Sequence, residues 1–237
     1  MTKIKGFNLN SFYSSIFRHY DLMNKLFTFG LDRKWRSMAI KQCLDANPES
    51  VLDLCTGTGD LAISLSRKSK KNLSIKAYDM NHDMLGRATE KASGLTESRP
   101  EFIQGKASVL PFQTNSFDSI VIGFGFRNLT FNNPEEQKHI DEMKRVLKPG
   151  GQLFILESSV PQNPFIRFAY LLHLYLVVIP MGGILTGNFK AYWYLAHSAS
   201  KYYTIQQLEQ LFVKNGFRDF WVKRFLFGSA CLIKVRK

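Results

Sequence analysis

Hydrophobic residues follow two different spacings along the chain. Short segments with closely spaced apolar residues, at 51–54, 74–79, 102–103, 117–126 and 152–157, each predict a β-strand. Between these runs, apolar residues recur at every third or fourth position, which predicts helices, among them 81–92 and one that Pro134 opens. Residues 204–215 predict a further helix, and residues 219–227 and 228–235 predict a terminal antiparallel hairpin. Strands that alternate with helices in this way form a mostly parallel α/β sheet.

Two segments depart from the alternation of strands and helices. Residues 11–46 carry apolar side chains at helical spacing, and they predict a helical lid before the first strand. Residues 161–203 are rich in aromatic side chains and show no strand-like alternation. We expect this second segment to be a helical insertion beside the ligand crevice.

The run 51–60, VLDLCTGTGD, combines a strand, a glycine turn and the start of a helix. Gly57, Gly59 and Ala62 satisfy the dinucleotide pattern G-x-G-x-x-A, and Asp79 lies 79 − 59 = 20 residues further on, where an acid binds ribose. However, Asp53 and Asp60 flank the turn, and a pyrophosphate there would meet two like charges. A ligand with an ammonium and a sulfonium group meets no such repulsion. We therefore predict a site for S-adenosylmethionine, with a dinucleotide as the rival.

Composition limits the other classes of function. The 237 residues carry 32 basic and 19 acidic side chains, a net charge of +13, which suits RNA, an anionic membrane or simple solubility. The three cysteines form no C-x-x-C pair, so a reduced, cytosolic protein without a metal site is expected. The most apolar segment, residues 168–181, is shorter than the ~20 residues that span a bilayer, and we predict no transmembrane helix.

Five segments together carry a resemblance to a known family. They are RHYDLMNKLFTFGLDRKWR (18–36), VLDLCTGTGDLA (51–62), LPFQTNSFD (110–118), FGFRNLT (124–130) and EMKRVLKPGG (142–151). In these segments the chain resembles the class I S-adenosylmethionine-dependent methyltransferases, and more closely the menaquinone/ubiquinone biosynthesis C-methyltransferases. The likeness covers residues 12–216, and YDLMN with FGFRN is its most specific part.

The resemblance implies a Rossmann-like class I methyltransferase sheet in a single domain over residues 1–237. We divide this domain into the helical lid (11–46), a cofactor-binding core (47–160), a substrate-cap insertion (161–203) and a C-terminal helix with a hairpin (204–237).

The resemblance also implies which residues bind the cofactor. The methionine half is expected against Asp53, Gly57, Thr58 and Gly59, the ribose hydroxyls on Asp79, and the adenine under Met80. Met80 could equally be a core residue. Lys106 stands where relatives carry Asp or Asn, so adenine recognition at Lys106 and Ala107 is expected to use backbone groups. Gly123 stands where relatives often carry a hydroxyl residue.

The implied reaction is the S-adenosylmethionine-dependent C-methylation of a reduced polyprenyl quinone, such as demethylmenaquinol to menaquinol. Arg127 could hold the developing phenolate by a charge-assisted hydrogen bond, or it could be a structural arginine. Tyr20 and Asn128 are expected to orient the ring, and Asp21 either assists deprotonation or caps a helix. His173 and His197 are further candidate bases, although a histidine among apolar residues is more often packed.

The expected partner is a polyprenylated quinol, with the protein peripheral on the inner face of an anionic membrane. No nucleic acid is expected, and the aromatic insertion could also be core or the surface of a homodimer. Two other functions stay open. One is an RNA methyltransferase, suggested by the basic charge, and the other is a non-catalytic quinone-binding assembly protein that kept the fold.

Overall fold

The computed structural model describes residues 9–69 and 72–237. The described residues form a seven-stranded sheet with the order β3-β2-β1-β4-β5-β7-β6. Its strands are β1 (Ser50–Leu54), β2 (Ser74–Asp79), β3 (Glu101–Gln104), β4 (Phe117–Gly123), β5 (Leu147–Ser158), β6 (Arg218–Phe225) and β7 (Ala230–Arg236). Strands β1 to β5 are parallel, and β7 pairs antiparallel with β5 and β6. The predicted mostly parallel sheet with an antiparallel C-terminal hairpin is confirmed.

Helices precede, separate and cover these strands. They are α1 (Leu9–Ile16), α2 (Tyr20–Phe27), α3 (Leu31–Asp45), α4 (Asp60–Lys68), α5 (His82–Lys91), α6 (Phe126–Thr130), α7 (Glu136–Val146), α8 (Pro164–His173), α9 (Ile179–Thr186), α10 (Phe189–Ser200) and α11 (Ile205–Lys214). Local sequence sets several of their ends. Asn81 caps α5 by accepting from the Met84 N–H, and Thr204 with Gln207 forms a capping box on α11.

The central strands are buried on both faces. Consecutive strand residues point to opposite sides of a sheet, so Leu52 of β1 packs in the core beneath α7 and α11, whereas Val51 packs in the core beneath α3 and α4. This arrangement explains why the strands are apolar runs without alternation. It also leaves the carboxyl ends of β1, β2 and β4 as the open edge where a ligand can bind.

The predicted strand 117–126 ends earlier than expected. β4 stops at Gly123, and Phe124 adopts a left-handed backbone with φ 59°. This turn redirects the chain into the short helix α6, which begins at Phe126. Arg127 therefore lies on a helix above the sheet and not at the end of the central strand, because the apolar run FGF continues past the point where the backbone turns.

The insertion is helical, as predicted, but its apolar helix is longer than the sequence suggested. A π-helical segment (Leu174–Val178) joins α8 to α9. Together they form one helix, Pro164–Thr186, of 23 residues that is long and apolar enough to cross a membrane by length and composition alone. The prediction based on a short segment was therefore wrong about length. In the structure this helix packs on the lid, since Leu174 and Val178 share a core with Ile16 and Met23.

Candidate active site

The glycine loop after β1 is shaped by three left-handed residues, Cys55 (φ 59°), Gly57 (φ 56°) and Gly59 (φ 79°). A Cβ on Gly57 would meet nothing within 4 Å, so this residue presents bare backbone to open space. A Cβ on Gly59 would lie 2.9 Å from the Ala88 Cβ. Gly57 is therefore free to approach a ligand, whereas Gly59 is needed for packing against α5.

Asp53 is buried beneath this loop and organises it. Its Oδ2 accepts from the Thr56 hydroxyl at 2.6 Å and from the Ala62 N–H at 2.9 Å. Burial raises the pKa of Asp53 to about 7, although both hydrogen bonds lower it. Among the described residues, its Oδ1 has no hydrogen-bond partner. Asp53 does not line the ligand cavity, so the structure places it behind the loop and not beside the predicted methionine half.

Asp79, at the end of β2, lies beside the glycine loop and binds its backbone. Its carboxylate accepts from the Gly57 N–H and from the Asn81 N–H, both at 2.9 Å. Burial raises the pKa of Asp79, while these backbone donors lower it. Because a carboxylate has acceptor sites left after two such bonds, it can still accept from a pair of ribose hydroxyls.

A cavity of about 620 Å³ lies over the glycine loop and Asp79. Of the predicted cofactor residues it is lined by Gly57, Asp79, Met80, Lys106, Ala107 and Gly123. Thr58 and Gly59 lie outside its lining, since Thr58 is buried under the lid and Gly59 faces α5. The bare backbone at Gly57 and the acceptor at Asp79 fit S-adenosylmethionine, which carries ribose hydroxyls and no phosphate.

Two glycines of the cavity wall are explained by packing. A Cβ on Gly123 would approach the Leu61 Cδ1 to 2.9 Å, which accounts for a glycine in place of a larger hydroxyl residue. A Cβ on Gly105 would overlap the Tyr78 hydroxyl at 1.8 Å. The Lys106 side chain is exposed and Lys106 and Ala107 both line this wall, and the use of their backbone groups for adenine recognition stays a prediction.

A second cavity, of about 280 Å³, lies between the lid, β5 and the insertion. Tyr13, Tyr20 and Phe124 line both cavities and form the boundary between them. The walls of the second cavity are mostly apolar and include Trp35, Ile166 and Leu195. A hydrophobic substrate in this cavity would therefore be separated from the cofactor cavity by the side chains of two tyrosines and a phenylalanine.

Arg127 is buried in the wall of the second cavity. Its main-chain N–H donates to the Glu157 Oε2 at 3.0 Å, and its Nη1 donates to the Ser158 hydroxyl at 3.2 Å. Its Nε has no hydrogen-bond partner among the described residues. Burial acts to lower the pKa of Arg127, but the nearby Glu157 carboxylate outweighs this and raises it. A buried guanidinium with unused donors is suited to an anionic or strongly accepting oxygen.

Tyr13 is a site residue that the sequence reasoning missed. Its hydroxyl accepts from the Asn128 side-chain amide at 2.7 Å, and its ring contacts Tyr20 edge to face. Burial raises the pKa of Tyr13, so it is neutral and can also donate. Asn128 lines the cofactor cavity and not the second cavity, and its amide joins it to the lid, so its role in orienting the ring stays a prediction. No local pattern in the sequence could show a contact between residues so far apart.

Asp21 lies away from Arg127. Consecutive helix residues point about 100° apart, so Tyr20 faces the cavities while Asp21 faces the glycine loop. The Asp21 carboxylate accepts from the Thr58 hydroxyl at 2.6 Å and forms an ion pair with Lys91 at 2.8 Å. It lines neither cavity. The predicted role in deprotonation is therefore not supported by its placement, and Asp21 instead fastens the lid to the cofactor loop.

The two candidate histidines are packed. His173 lines the second cavity, but its Nε2 lies 3.1 Å from the Phe27 carbonyl oxygen, to which it can donate. His197 stacks on Trp193 with ring centroids 4.7 Å apart and lines neither cavity. Among the described residues, no group of three His, Cys, Asp or Glu is arranged to hold a metal ion.

Comparison with known proteins agrees with this geometry. The family described as "ubiE/COQ5 methyltransferase family" matches residues 1–237. A demethylmenaquinone methyltransferase of Desulfitobacterium hafniense is 35% identical over 99% of this chain and 92% of its own length. The ubiquinone/menaquinone biosynthesis C-methyltransferase UbiE of Geobacter sulfurreducens is 33% identical over 98% of this chain and 90% of its own length.

Among solved structures, a SAM-dependent methyltransferase from Aquifex aeolicus shares the fold, with a TM-score of 0.55, 20% identity, and coverage of 79% of this chain and 81% of that chain. The resemblance seen in the sequence is thereby confirmed. The chain is an S-adenosylmethionine-dependent methyltransferase and belongs to the ubiE/COQ5 methyltransferase family.

Proposed function

We propose that the enzyme methylates a ring carbon of a reduced polyprenyl quinone, as in the conversion of demethylmenaquinol to menaquinol. One observation carries this proposal. Arg127 lies in the wall of a mostly apolar cavity that adjoins the cofactor cavity, and its Nε has no hydrogen-bond partner among the described residues. A quinol matches this combination because it has ring oxygens beside a long hydrocarbon tail. The names of the relatives indicate the substrate class, and Arg127 gives a chemical reason why a quinol would bind in this cavity.

Methylation at carbon requires an electron-rich ring. S-adenosylmethionine supplies an electrophilic methyl group when bound. Arg127 stabilises negative charge on a quinol oxygen, so that electron density increases at the neighbouring ring carbon. This carbon would take the methyl group in place of its hydrogen, and release of the ring proton to solvent would restore the aromatic ring. Arg127 therefore acts electrostatically, and it does not serve as the base that accepts a proton.

The residues around Arg127 align the ring and exclude water. The Asn128 amide fixes the Tyr13 hydroxyl, and Tyr20 packs against the Tyr13 ring at the boundary between the cavities. These side chains are held by lid and sheet together, so the lid must be in place for the ring to be aligned. We assign to residues 161–203 the role of substrate cap, because their helices α8 and α10 line the second cavity.

The same cavity favours a quinol over RNA. Among the described residues that line it, the ionisable groups besides tyrosine are Arg127, Glu157 and His173. A polynucleotide needs several cations along its backbone, and one arginine in a mostly apolar cavity does not provide them. We further propose that the enzyme is cytoplasmic and works at the inner membrane face, where a polyprenyl tail partitions. The homodimer remains a prediction.

The test is a methyl-transfer assay with labelled S-adenosylmethionine and a panel of reduced naphthoquinones and benzoquinones. We expect Arg127→Ala to lower turnover roughly 10²–10³-fold, the loss typical when one oxyanion donor is removed. Cofactor affinity, measured by calorimetry, should remain unchanged because Arg127 lines the other cavity. Arg87→Ala, which removes an exposed arginine on α5, serves as the matched control. The proposal is refuted if the enzyme methylates none of the quinols, or if Arg127→Ala lowers turnover and cofactor affinity equally.

A further inference from the structure

Three stretches of the chain contain no aspartate or glutamate. They are residues 22–31, 158–208 and 220–237, and they carry basic residues, among them Lys25, Arg167 and Lys190, whose side chains are exposed. The three stretches converge at the second cavity, because Phe29, Ile166 and Leu226 all line it. These stretches therefore supply basic side chains and no acid around the cavity, and Glu157 is the acidic residue among the described residues that line the cavity itself.

Large apolar side chains surround the same cavity on its solvent side. Phe29 is 75% exposed, Phe165 is 84% exposed and precedes Ile166, and Phe227 is 81% exposed and follows Leu226. Phe29 (φ 54°) and Phe227 (φ 56°) both adopt the left-handed backbone, which is costly for a bulky side chain. The fold thus holds aromatic rings in water at the mouth of the cavity at a cost in strain.

The long apolar helix extends this surface. Phe165, Phe168, Leu172 and Leu176 are exposed and follow helical spacing along one side of Pro164–Thr186. The opposite side carries Leu174 and Val178 into the core shared with the lid. The helix therefore lies along the protein surface with one apolar side outward.

We propose that this surface, here called the docking face (Phe29, Phe165, Phe168, Leu172, Leu176 and Phe227), inserts into a bilayer that contains anionic phospholipid. The mouth of the second cavity then opens toward the acyl chains. The inference rests on the proposed function, since a polyprenyl quinol is dissolved in that layer. The apolar side chains enter the interfacial region, and the surrounding lysines and arginines bind the lipid phosphates.

Two other occupants fit the observations less well. A second copy of the chain would bring two positive faces together, and like charges oppose that contact. A membrane-spanning arrangement would require Pro164–Thr186 to leave the fold. That would expose Leu174 and Val178 and break the contact of His173 with the Phe27 carbonyl.

The test uses the purified full-length protein and sedimentation with vesicles of phosphatidylcholine, with or without phosphatidylglycerol. We expect binding to the anionic vesicles at low salt and release at high salt or alkaline pH. Phe165→Ser/Phe227→Ser should weaken this binding by on the order of tenfold for each phenylalanine removed. Val109→Ser/Val213→Ser, which changes two exposed apolar residues outside the docking face, should bind like the parent protein.

The charge contribution has its own pair of variants. Arg167→Gln/Lys190→Gln should weaken binding to anionic vesicles and leave binding to neutral vesicles unchanged. Lys41→Gln/Lys138→Gln, which removes two exposed lysines outside the acid-free stretches, should show a smaller effect.

Several results would overturn the proposal. The parent protein could fail to bind anionic vesicles, or both phenylalanine pairs could have equal effects. Resistance to alkaline extraction would indicate a spanning helix. Loss of a dimer in the Phe165→Ser/Phe227→Ser variant by ultracentrifugation would indicate a second copy as the occupant. Methylation of a water-soluble, short-tailed quinol should persist in this variant. If the parent protein binds vesicles but does not methylate the short-tailed quinol, the proposed substrate is refuted and the proposed docking face is supported.

Discussion

The contact between Cys55 and Gly125 allows a sharp test of how the glycine loop is built. A Cβ added to Gly125 would lie 2.4 Å from the Cys55 Cβ and 3.3 Å from its Sγ. Both Cβ atoms are fixed to the backbone, so neither can rotate away. Gly125 itself has φ −110° and ψ −21°, a conformation that alanine adopts easily. The glycine is therefore required by its neighbour and not by its own backbone.

We expect Gly125→Ala to destabilise the protein by about 3 kcal/mol, the upper end of the range for overpacking. In a Cys55→Gly background the nearest remaining atom is the Ile122 Cγ2 at 3.5 Å, an ordinary contact. The same substitution should then cost less than about 0.5 kcal/mol, which gives a coupling energy of about 2–3 kcal/mol. Cys55→Gly alone should be nearly neutral, because relief of about 1 kcal/mol of left-handed strain offsets the entropy of glycine.

Urea unfolding of the four proteins measures this cycle, with the slopes compared to confirm that the unfolding reaction is the same. Cofactor affinity provides a second readout, since both residues line the cofactor cavity. An equal cost of Gly125→Ala in the two backgrounds would show that the contact with Cys55 does not explain the glycine.

Two further predictions concern the acids around the glycine loop. Asp21→Ala should increase proteolysis of the lid and raise KM for the cofactor severalfold, because the ties to Thr58 and Lys91 are lost. The pH profile of kcat should not change, whereas loss of one limb of that profile would restore Asp21 as a base. For Asp53, a folded pKa of about 7 against an ordinary 3.8 means that stability falls as pH rises from about 4 to 7 and then levels off. Asp53→Asn should flatten the dependence of the urea midpoint on pH over this range, and an unaltered slope would contradict the assignment.

The sheet could be predicted from sequence because its signals are local. The run 74–79 is both the predicted and the observed second strand, since an apolar run between turn residues depends on its own segment alone. The glycine loop was equally visible, because each of its glycines lies next to the strand that ends there. The helix starts at Asn81 and Thr204 could also be predicted, because each N-cap depends on residues within three positions of it.

The active site depends on contacts that no local pattern encodes. Asn128 meets Tyr13 across 115 positions of the chain, and the two cavities meet only where the lid folds over the sheet. The left-handed turn at Phe124 also could not be predicted from the sequence, because phenylalanine rarely adopts a positive φ. This turn places Arg127 on the helix α6. The extra length of the apolar helix arises from a π-helical segment that continues α8 into α9, which the spacing of residues does not show.

The two acids that flank the glycine loop, Asp53 and Asp60, carry less effective negative charge than expected. The Asp60 carboxylate is buried in part, which opposes its ionisation, but Arg36 and Lys91 lie 2.7 Å and 2.6 Å away and lower its pKa. Its charge is thus compensated within the protein. The raised pKa of Asp53 leaves that side chain partly protonated near neutral pH. Repulsion of phosphate by these two acids is therefore weak.

We propose that Asp79 makes the selection instead, through geometry as well as charge. Its carboxylate accepts from the Gly57 N–H, one of the backbone donors that a dinucleotide loop would turn toward pyrophosphate. A phosphate at Gly57 would have to displace this carboxylate from its donor and then lie beside it. A ligand whose ribose donates to Asp79 and whose charged end is cationic avoids both costs. On this proposal the carboxylate that accepts from the ribose also closes the loop to phosphate, and a glycine pattern shared with dinucleotide enzymes then selects S-adenosylmethionine.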